Sequence, residues 1–376
     1  MIKVLFTITN DVYTDQRVNK MARTLHSMGF SPVIAGIRRR NSPPFNPSYA
    51  RIRRMPMFFR KGFFFYAEYN IRLFLHLLFA RYELLVANDL DTLPAAHLAS
   101  RIRRKELVYD THEYFTGTPE VMDRPRVYRV WKFFENRLFP RQNTIITVNR
   151  SIARLYEEEY GRPLHVVRNL PPRFTSGGIV TRAGLGVGEQ TRIIILQGAG
   201  INVERGGEEL ILAMQPQFGL ERTQLWIIGD GNALDGLKSL AAKGGLGEKL
   251  RFFPRMPYEQ MMEHTALADI GVSLDKDRSI NYRYSLPNKV FDYIMAGVPV
   301  LASNLPEVAR TVTDYGVGRV VEEVAPAAIA LALKEMLDDQ DKLQRYRHNC
   351  LEAAKVLCWE REEDVVRTIY GRFLER

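Results

Sequence analysis

Asn281 to Pro299 reads NYRYSLPNKVFDYIMAGVP, a polar entry, a proline, an apolar helical run and a glycine stop. Ser285 suits a helix cap, Pro287 fits a first turn where its missing N–H costs nothing, and Val290, Phe291, Ile294 and Met295 form an apolar face that ends at Gly297. The first-turn N–H groups from Leu286 through Asn288 to Lys289, with the helix dipole behind them and the Lys289 ammonium beside them, suit a diphosphate. Asp292 follows Asn288 by one turn and shares its face, a place from which it could accept hydrogen bonds from a ribose diol. A buried capped helix leading into a strand, Val298 to Ala302, fits the same letters.

Outward from this stretch the chain alternates strand and helix patterns. Before it, Arg192 to Gln197 reads as a strand that leads through Gly198 and Arg205-Gly206-Gly207 to a helix, Glu208 to Met214, and Gln224 to Ile228 leads to Gly229-Asp230-Gly231. A side chain at Gly198 would obstruct a phosphate approaching the backbone, and Gly229 and Gly231 suit a tight turn beside a nucleotide. Helices Ala325 to Asp338 and Asp341 to Glu375 follow. A first series runs from Lys3 to Val167: Asp15 caps a helix, Arg38 to Lys61 is mostly surface loop, and Asp91 caps a helix ending at Arg104. Asp110-Thr111-His112-Glu113 closes the strand Glu106 to Tyr109, at the end where open α/β sheets place their chemistry. Asn88 and Asp89, at another strand end, suit contact with a second substrate. The expected class is α/β: two Rossmann-like αβα domains facing a central cleft, residues 1–170 and 191–358, with a Pro- and Gly-rich linker at 171–190.

Composition narrows the setting. Up to Arg168 there are 28 lysines and arginines against 15 aspartates and glutamates, a balance of +13, whereas the remainder stands at −3. A basic partner surface therefore belongs to the N-terminal half. Gly62 to Tyr82 is as long as a membrane span but carries Glu68, Arg72 and His76 at i, i+4 steps, so it reads as an amphipathic helix. Two readings stay open for it: packing on its own sheet, and a peripheral membrane contact through Arg38 to Tyr82. No nucleic-acid motif accompanies these residues. Two cysteines, Cys350 and Cys358, make no disulfide framework, so a reducing, cytoplasmic compartment is expected, with peripheral contact at the inner face of the cytoplasmic membrane.

NYRYSLPNKVFDYIMAGVPVLAS, LWIIGDG, GAGINVERGGEELI, VYDTHEYF and VNRSIARLYEEEYG together resemble the bacterial family 4 glycosyltransferases of the "group 1" type, over nearly the whole chain. The resemblance implies the GT-B fold, a final helix (359–376) crossing back to the N-terminal domain, and retaining transfer of a sugar from a UDP- or GDP-sugar. It also implies a donor held by the C-terminal domain and a glycan or lipid-linked acceptor held by the N-terminal one, in cell-surface polysaccharide or glycolipid synthesis. By that resemblance His112 lies near the reacting sugar, with Glu113 orienting it, and Arg205 and Lys289 carry the leaving diphosphate. The family's paired glutamates fall on Tyr284 and Asp292, and its basic pair on Ala199 and Arg205, so one member of each is missing. The usual Gly-Gly loop after the first strand is absent as well, and Asp15-Gln16-Arg17 is its local substitute on the acceptor or diphosphate side.

No metal or other cofactor is expected. Asp89-Leu90-Asp91 and Asp275-Lys276-Asp277 have the Asp-x-Asp form of metal-dependent sugar transferases of another fold, but Asp91 reads as a cap and Lys276 places a positive charge inside the second pair. Two alternatives remain: a nucleotide-sugar hydrolase or epimerase of the same fold, and a membrane-associated scaffold with reduced catalysis.

Overall fold

The computed structural model describes residues 1–40, 42–198 and 200–375; Ala199 lies outside the described residues. The chain divides into two compact units, each with its own sheet. The first takes Met1–Asn169, Ser279–Asn281 and the chain from Glu362 onward; the second takes Leu170–Arg278 and Tyr282–Arg361.

In the first unit, strands β1 (Lys3–Thr7), β2 (Ser31–Arg38), β3 (Arg51–Pro56), β4 (Leu84–Asn88), β5 (Glu106–Thr111), β6 (Thr144–Thr147) and β7 (His165–Val166) form one parallel sheet in the order β3-β2-β1-β4-β5-β6-β7. The middle strands are apolar runs because helices cover both faces, and β4, LLVAN, is buried throughout. Strand order reverses between β1 and β4, so the loops after these two strands diverge and leave a crevice at their carboxyl ends. Helix Gln16–Ser27 starts where Asp15 accepts the Val18 N–H, as its sequence predicts, and Asn149 caps helix Arg150–Tyr160 in the same way.

β3 corrects the reading of Arg38 to Lys61 as loop. Its prolines lie mainly outside the strand, and the arginines of RIRRMP stand on an edge strand that has only β2 as neighbour. Helix Gly62–Phe79 buries Phe65, Tyr69, Leu73 and Leu77, yet leaves Phe63, Phe64, Ile71, Leu75 and Phe79 exposed. Its polar stripe is used locally: Glu68 accepts the backbone N–H groups of Phe58 and Phe59 and pairs with Arg72 at 2.7 Å. Among the described residues no helix is long and apolar enough to cross a membrane.

In the second unit, β8 (Arg192–Gly198), β9 (Thr223–Gly229), β10 (Leu250–Phe253), β11 (Ile270–Ser273), β12 (Val300–Ser303) and β13 (Gly318–Val321) form a parallel sheet ordered β10-β9-β8-β11-β12-β13. Here the order reverses between β8 and β11. Segment 170–190 is tied into this unit: Leu170 and Val187 are buried in its core, Glu263 accepts from Ser176 and Gly177, and Arg182 pairs with Asp269. Helix Trp359–Gly371 begins in the second unit and ends in the first, where Thr24 donates to Glu363 at 3.0 Å and Arg367 to Ser27 at 2.9 Å.

Candidate functional site

Each sheet carries a polar cluster at its switch point. In the first unit the residues come from the ends of β1, β4 and β5. Asp89 turns the chain after β4 with φ +62°, a left-handed conformation that aspartate tolerates better than most residues, and its N–H binds the Asp110 carbonyl at 2.9 Å. So placed, Asp89 accepts the His112 backbone N–H at 2.8 Å and lies 3.1 Å from His112 Nδ1. His112 Nε2 faces Asp110 at 3.8 Å, beyond hydrogen-bond length, and is turned in from solvent. Burial opposes the imidazolium, but Asp89 and Asp110 outweigh it and hold His112 well above the ordinary histidine value. Both of its ring nitrogens face carboxylates, which favour the protonated ring.

Arg17, expected on the acceptor side, lies inside the first unit. Its guanidinium is buried, donating from Nε and Nη2 to the two Asp110 oxygens at 3.1 and 2.8 Å and from Nη1 to the Val167 carbonyl at 2.8 Å. It ties the helix after β1 to the ends of β5 and β7. Burial works against the Asp110 charge, yet Arg17 and His112 overrule it and hold its pKa at about 2. Asp91 does not cap a helix: helix Leu93–Arg103 starts after Thr92, and Asp91 Oδ2 instead accepts from Thr9 at 2.6 Å. Burial, then Asp89, push Asp91 up to about 8. Burial, Asp89 and Glu120 push Glu113 up to about 7, although Asn281 donates to it at 3.1 Å. Asp15, raised chiefly by burial, and Asn88, which donates to the Thr7 carbonyl at 3.1 Å, complete the cluster.

These shifts set a pH dependence. Asp91 ionises near about 4 in an unfolded chain, but keeps its proton to about 8 when folded. Between those values the folded state binds the extra proton, so stability falls as pH rises; Glu113 acts in the same direction up to about 7. We expect Asp91→Asn to flatten the decline of Tm between about pH 5 and pH 9 and to gain on the wild type at the alkaline end.

In the second unit, Asp275 follows β11 and is almost fully buried. Arg205 Nη1 lies 3.3 Å and Lys289 Nζ 3.8 Å from its Oδ1, and the Arg205 guanidinium sits 4.3 Å above the Tyr282 ring. Both ion-pair distances exceed those of a tight charge-assisted bond. Among the described residues Arg205 Nε and Asp275 Oδ2 are buried with no hydrogen-bond partner, as are Gln197 Nε2 and Ser273 Oγ at the ends of β8 and β11. Burial opposes the Arg205 charge but Asp275 and Tyr282 raise its pKa; Lys289 is lowered, by burial first, with Asp275 opposing and Arg205 assisting. Lys276 points to Glu209 at 2.7 Å and Glu204 at 3.1 Å.

Gly206 makes this grouping possible. It has φ +74°, and a Cβ there would collide with the Leu274 carbonyl, so only glycine lets the Arg205 turn lie against the chain entering Asp275. We expect Gly206→Ala to cost about 1–3 kcal/mol of stability, read as a lower Tm. Gly229 and Gly231 are packed against the backbone of Gly198 and Ile201, which accounts for both as turn glycines, while a Cβ at Gly198 (φ +158°) would make only an ordinary contact, with the Gly200 backbone nitrogen at 3.8 Å.

The opening stretch starts its helix later than its letters predict. Ile280–Tyr284 forms one separate turn that Ser285 closes, its Oγ donating to the Tyr282 carbonyl at 3.0 Å, and the main helix is Asn288–Met295 with Pro287 in the capping position. Ser285 is therefore no cap, and Leu286 precedes the helix. Asp292 is buried and accepts from the Tyr258 hydroxyl at 2.9 Å. Tyr282 and Tyr258 were not singled out in the sequence, and Asp275 entered only as part of an Asp-x-Asp pair; the signal for its place here is its position at a strand end, the place Asp110 has in the first series.

Residues 15–170 match the model of Glycosyltransferase Family 4, and residues 186–356 that of glycosyl transferases group 1. Over 253 residues, 64% of this chain and 63% of the relative, the sequence is 23% identical to the GDP-mannose-dependent alpha-(1-6)-phosphatidylinositol monomannoside mannosyltransferase of Mycolicibacterium smegmatis. The chain thus spans less than two thirds of that relative's length. Among solved structures, sucrose-phosphate synthase from Thermosynechococcus elongatus superposes with a TM-score of 0.83 over 100% of both chains at 15% identity. The Anabaena protein Alr3699/HepE in complex with UDP and glucose does so with a TM-score of 0.74 over 100% of both chains at 16% identity.

Proposed function

Because the chain belongs to the family 4, group 1 type glycosyltransferases and has their GT-B fold, we propose that it moves a sugar from a UDP- or GDP-sugar to a hydroxyl of a glycan or lipid-linked acceptor. The reading includes retention of anomeric configuration and a role in cell-surface polysaccharide or glycolipid synthesis. One observation carries the donor side: two cations, Arg205 and Lys289, share a single buried carboxylate, Asp275, at the switch point of the second sheet. Their loose pairing holds both side chains in place without saturating them, and a diphosphate supplies the missing negative charge. As the sugar leaves, that charge grows, so the same contacts strengthen in the transition state. Two cations beside Asp275 also disfavour a divalent ion there, in keeping with a metal-independent reaction. The GDP-mannose in the name of one relative and the UDP held by one structural neighbour are the two donor classes to test.

The acceptor side is assigned to Asp15, Asn88, Asp89, His112 and Glu113, with the imidazolium of His112 as the fixed charge nearest the reacting sugar. The exposed Phe63, Phe64, Ile71, Leu75 and Phe79, beside the arginines of β3, support a peripheral contact with the inner face of the cytoplasmic membrane. Cosedimentation with anionic vesicles is expected, weakening as salt rises, because the basic contribution is screened. The activity is tested by incubating the protein with UDP- and GDP-sugars and a glycan panel, then reading the product linkage by NMR. A new glycoside with the donor's anomeric configuration supports the proposal. Free sugar or an epimer formed without acceptor would replace it with hydrolysis or epimerisation.

A further inference from the structure

The polar cluster of the first unit also bears on which acceptors fit. Both cations there are committed to carboxylates: Arg17 to Asp110, and His112 to Asp89 and Asp110. Asp15, Asp91 and Glu113 stand round the same histidine, and among the described residues Asp91 and Glu113 have no ion pair with an arginine or lysine, while Asp15 feels Arg17. Among the described residues three polar atoms of this cluster have no hydrogen-bond partner: Asn88 Oδ1 and Asp91 Oδ1, on side chains more than nine-tenths buried, and His112 Nε2. The group that meets them must offer donors and acceptors together. A hydroxyl does both, whereas a phosphate at neutral pH mainly accepts and brings more negative charge to the carboxylates. Resting on the acceptor-side assignment above, we propose that the acceptor unit bound at this end of the sheet is an uncharged polyol, a sugar presenting free hydroxyls, and that phosphorylated sugars are rejected there.

The raised pKa values of Asp91 and Glu113 agree with this, because they mark a place where negative charge is already poorly compensated. A phosphate brought beside them would add its own charge where Arg17 and His112 already face other carboxylates.

The test is saturation-transfer NMR on the full chain, with methyl α-D-glucopyranoside, methyl α-D-mannopyranoside and methyl α-D-galactopyranoside against the 6-phosphates of the same sugars. UDP and GDP are titrated into the same samples. At least one neutral glycoside should bind about tenfold or more tightly than its phosphate. Above about pH 8, where both carboxyls are ionised, Glu113→Gln and Asp91→Asn keep shape and remove charge, and should narrow that ratio to about threefold or less. Equal or tighter binding of the phosphates, or no binding by any neutral glycoside, overturns the inference. Glycoside binding without any response to UDP or GDP leaves this selectivity standing and removes the donor reading instead.

Discussion

Arg17→Ala is expected to destabilise the protein by about 3–5 kcal/mol, the largest effect of any single side chain considered, because it leaves a buried charge unpaired. Asp110 is wholly buried, and its two oxygens take the Arg17 donors at 3.1 and 2.8 Å. Without the guanidinium His112 is the one cation left facing that carboxylate among the described residues, at 3.8 Å, and the Val167 carbonyl also loses a donor. The sign with pH follows from the low pKa of Asp110. Its contribution is present above the unfolded aspartate value and is lost as pH falls towards about 2. The gap between variant and wild type is therefore widest near neutral pH and shrinks in acid, as denaturant melts across that range will read. Replacing both partners with apolar residues of similar size should recover much of the loss, since the pair's desolvation penalty goes with it. A loss for Arg17→Ala of less than about 1 kcal/mol, the size of an exposed pair, would show that the guanidinium is solvated.

Arg205→Ala is expected to lower kcat about 100- to 1000-fold, the usual effect of removing one preorganised group from a developing negative charge. Lys289 is left alone beside Asp275 at 3.8 Å, and burial already weakens its charge. Arg205→Lys should restore little, because an ammonium lacks the planar fork and cannot lie over the Tyr282 ring as the guanidinium does at 4.3 Å. Folding suffers less than turnover, since Arg205 is partly exposed and bound to Asp275 by one long contact. Steady-state kinetics on variants with matched Tm separates these effects. A kcat within about threefold of the wild type for the alanine variant removes Arg205 from the transition state.

The two arginines also show what a sequence does and does not disclose. Both follow a strand by a few residues, and both read as ligand-facing. Arg17 is buried because Asp110, 93 positions away, ends a strand two places across the same sheet. Arg205 stays near a crevice because Asp275, 70 positions on, meets it with one oxygen only. Pairings of that range carry no local signature, so the roles separate only once the strand order is known. The alternation of apolar strands with capped helices is local, and so the α/β class, the Asp15 cap and the helix after Pro287 were legible. β3 was not, since RIRRMP on an edge strand has no apolar face to mark it. Ser285 misled because its hydroxyl can close the turn before it as readily as cap the one after.

The most direct measurement is calorimetric titration of UDP and GDP into the wild-type protein and into Arg205→Ala. One nucleotide should bind the wild type, with affinity reduced about tenfold or more in the variant, the loss of one charge-assisted contact to phosphate. Binding that is absent from the wild type, or equal in both proteins, contradicts a donor site built on Arg205, Asp275 and Lys289.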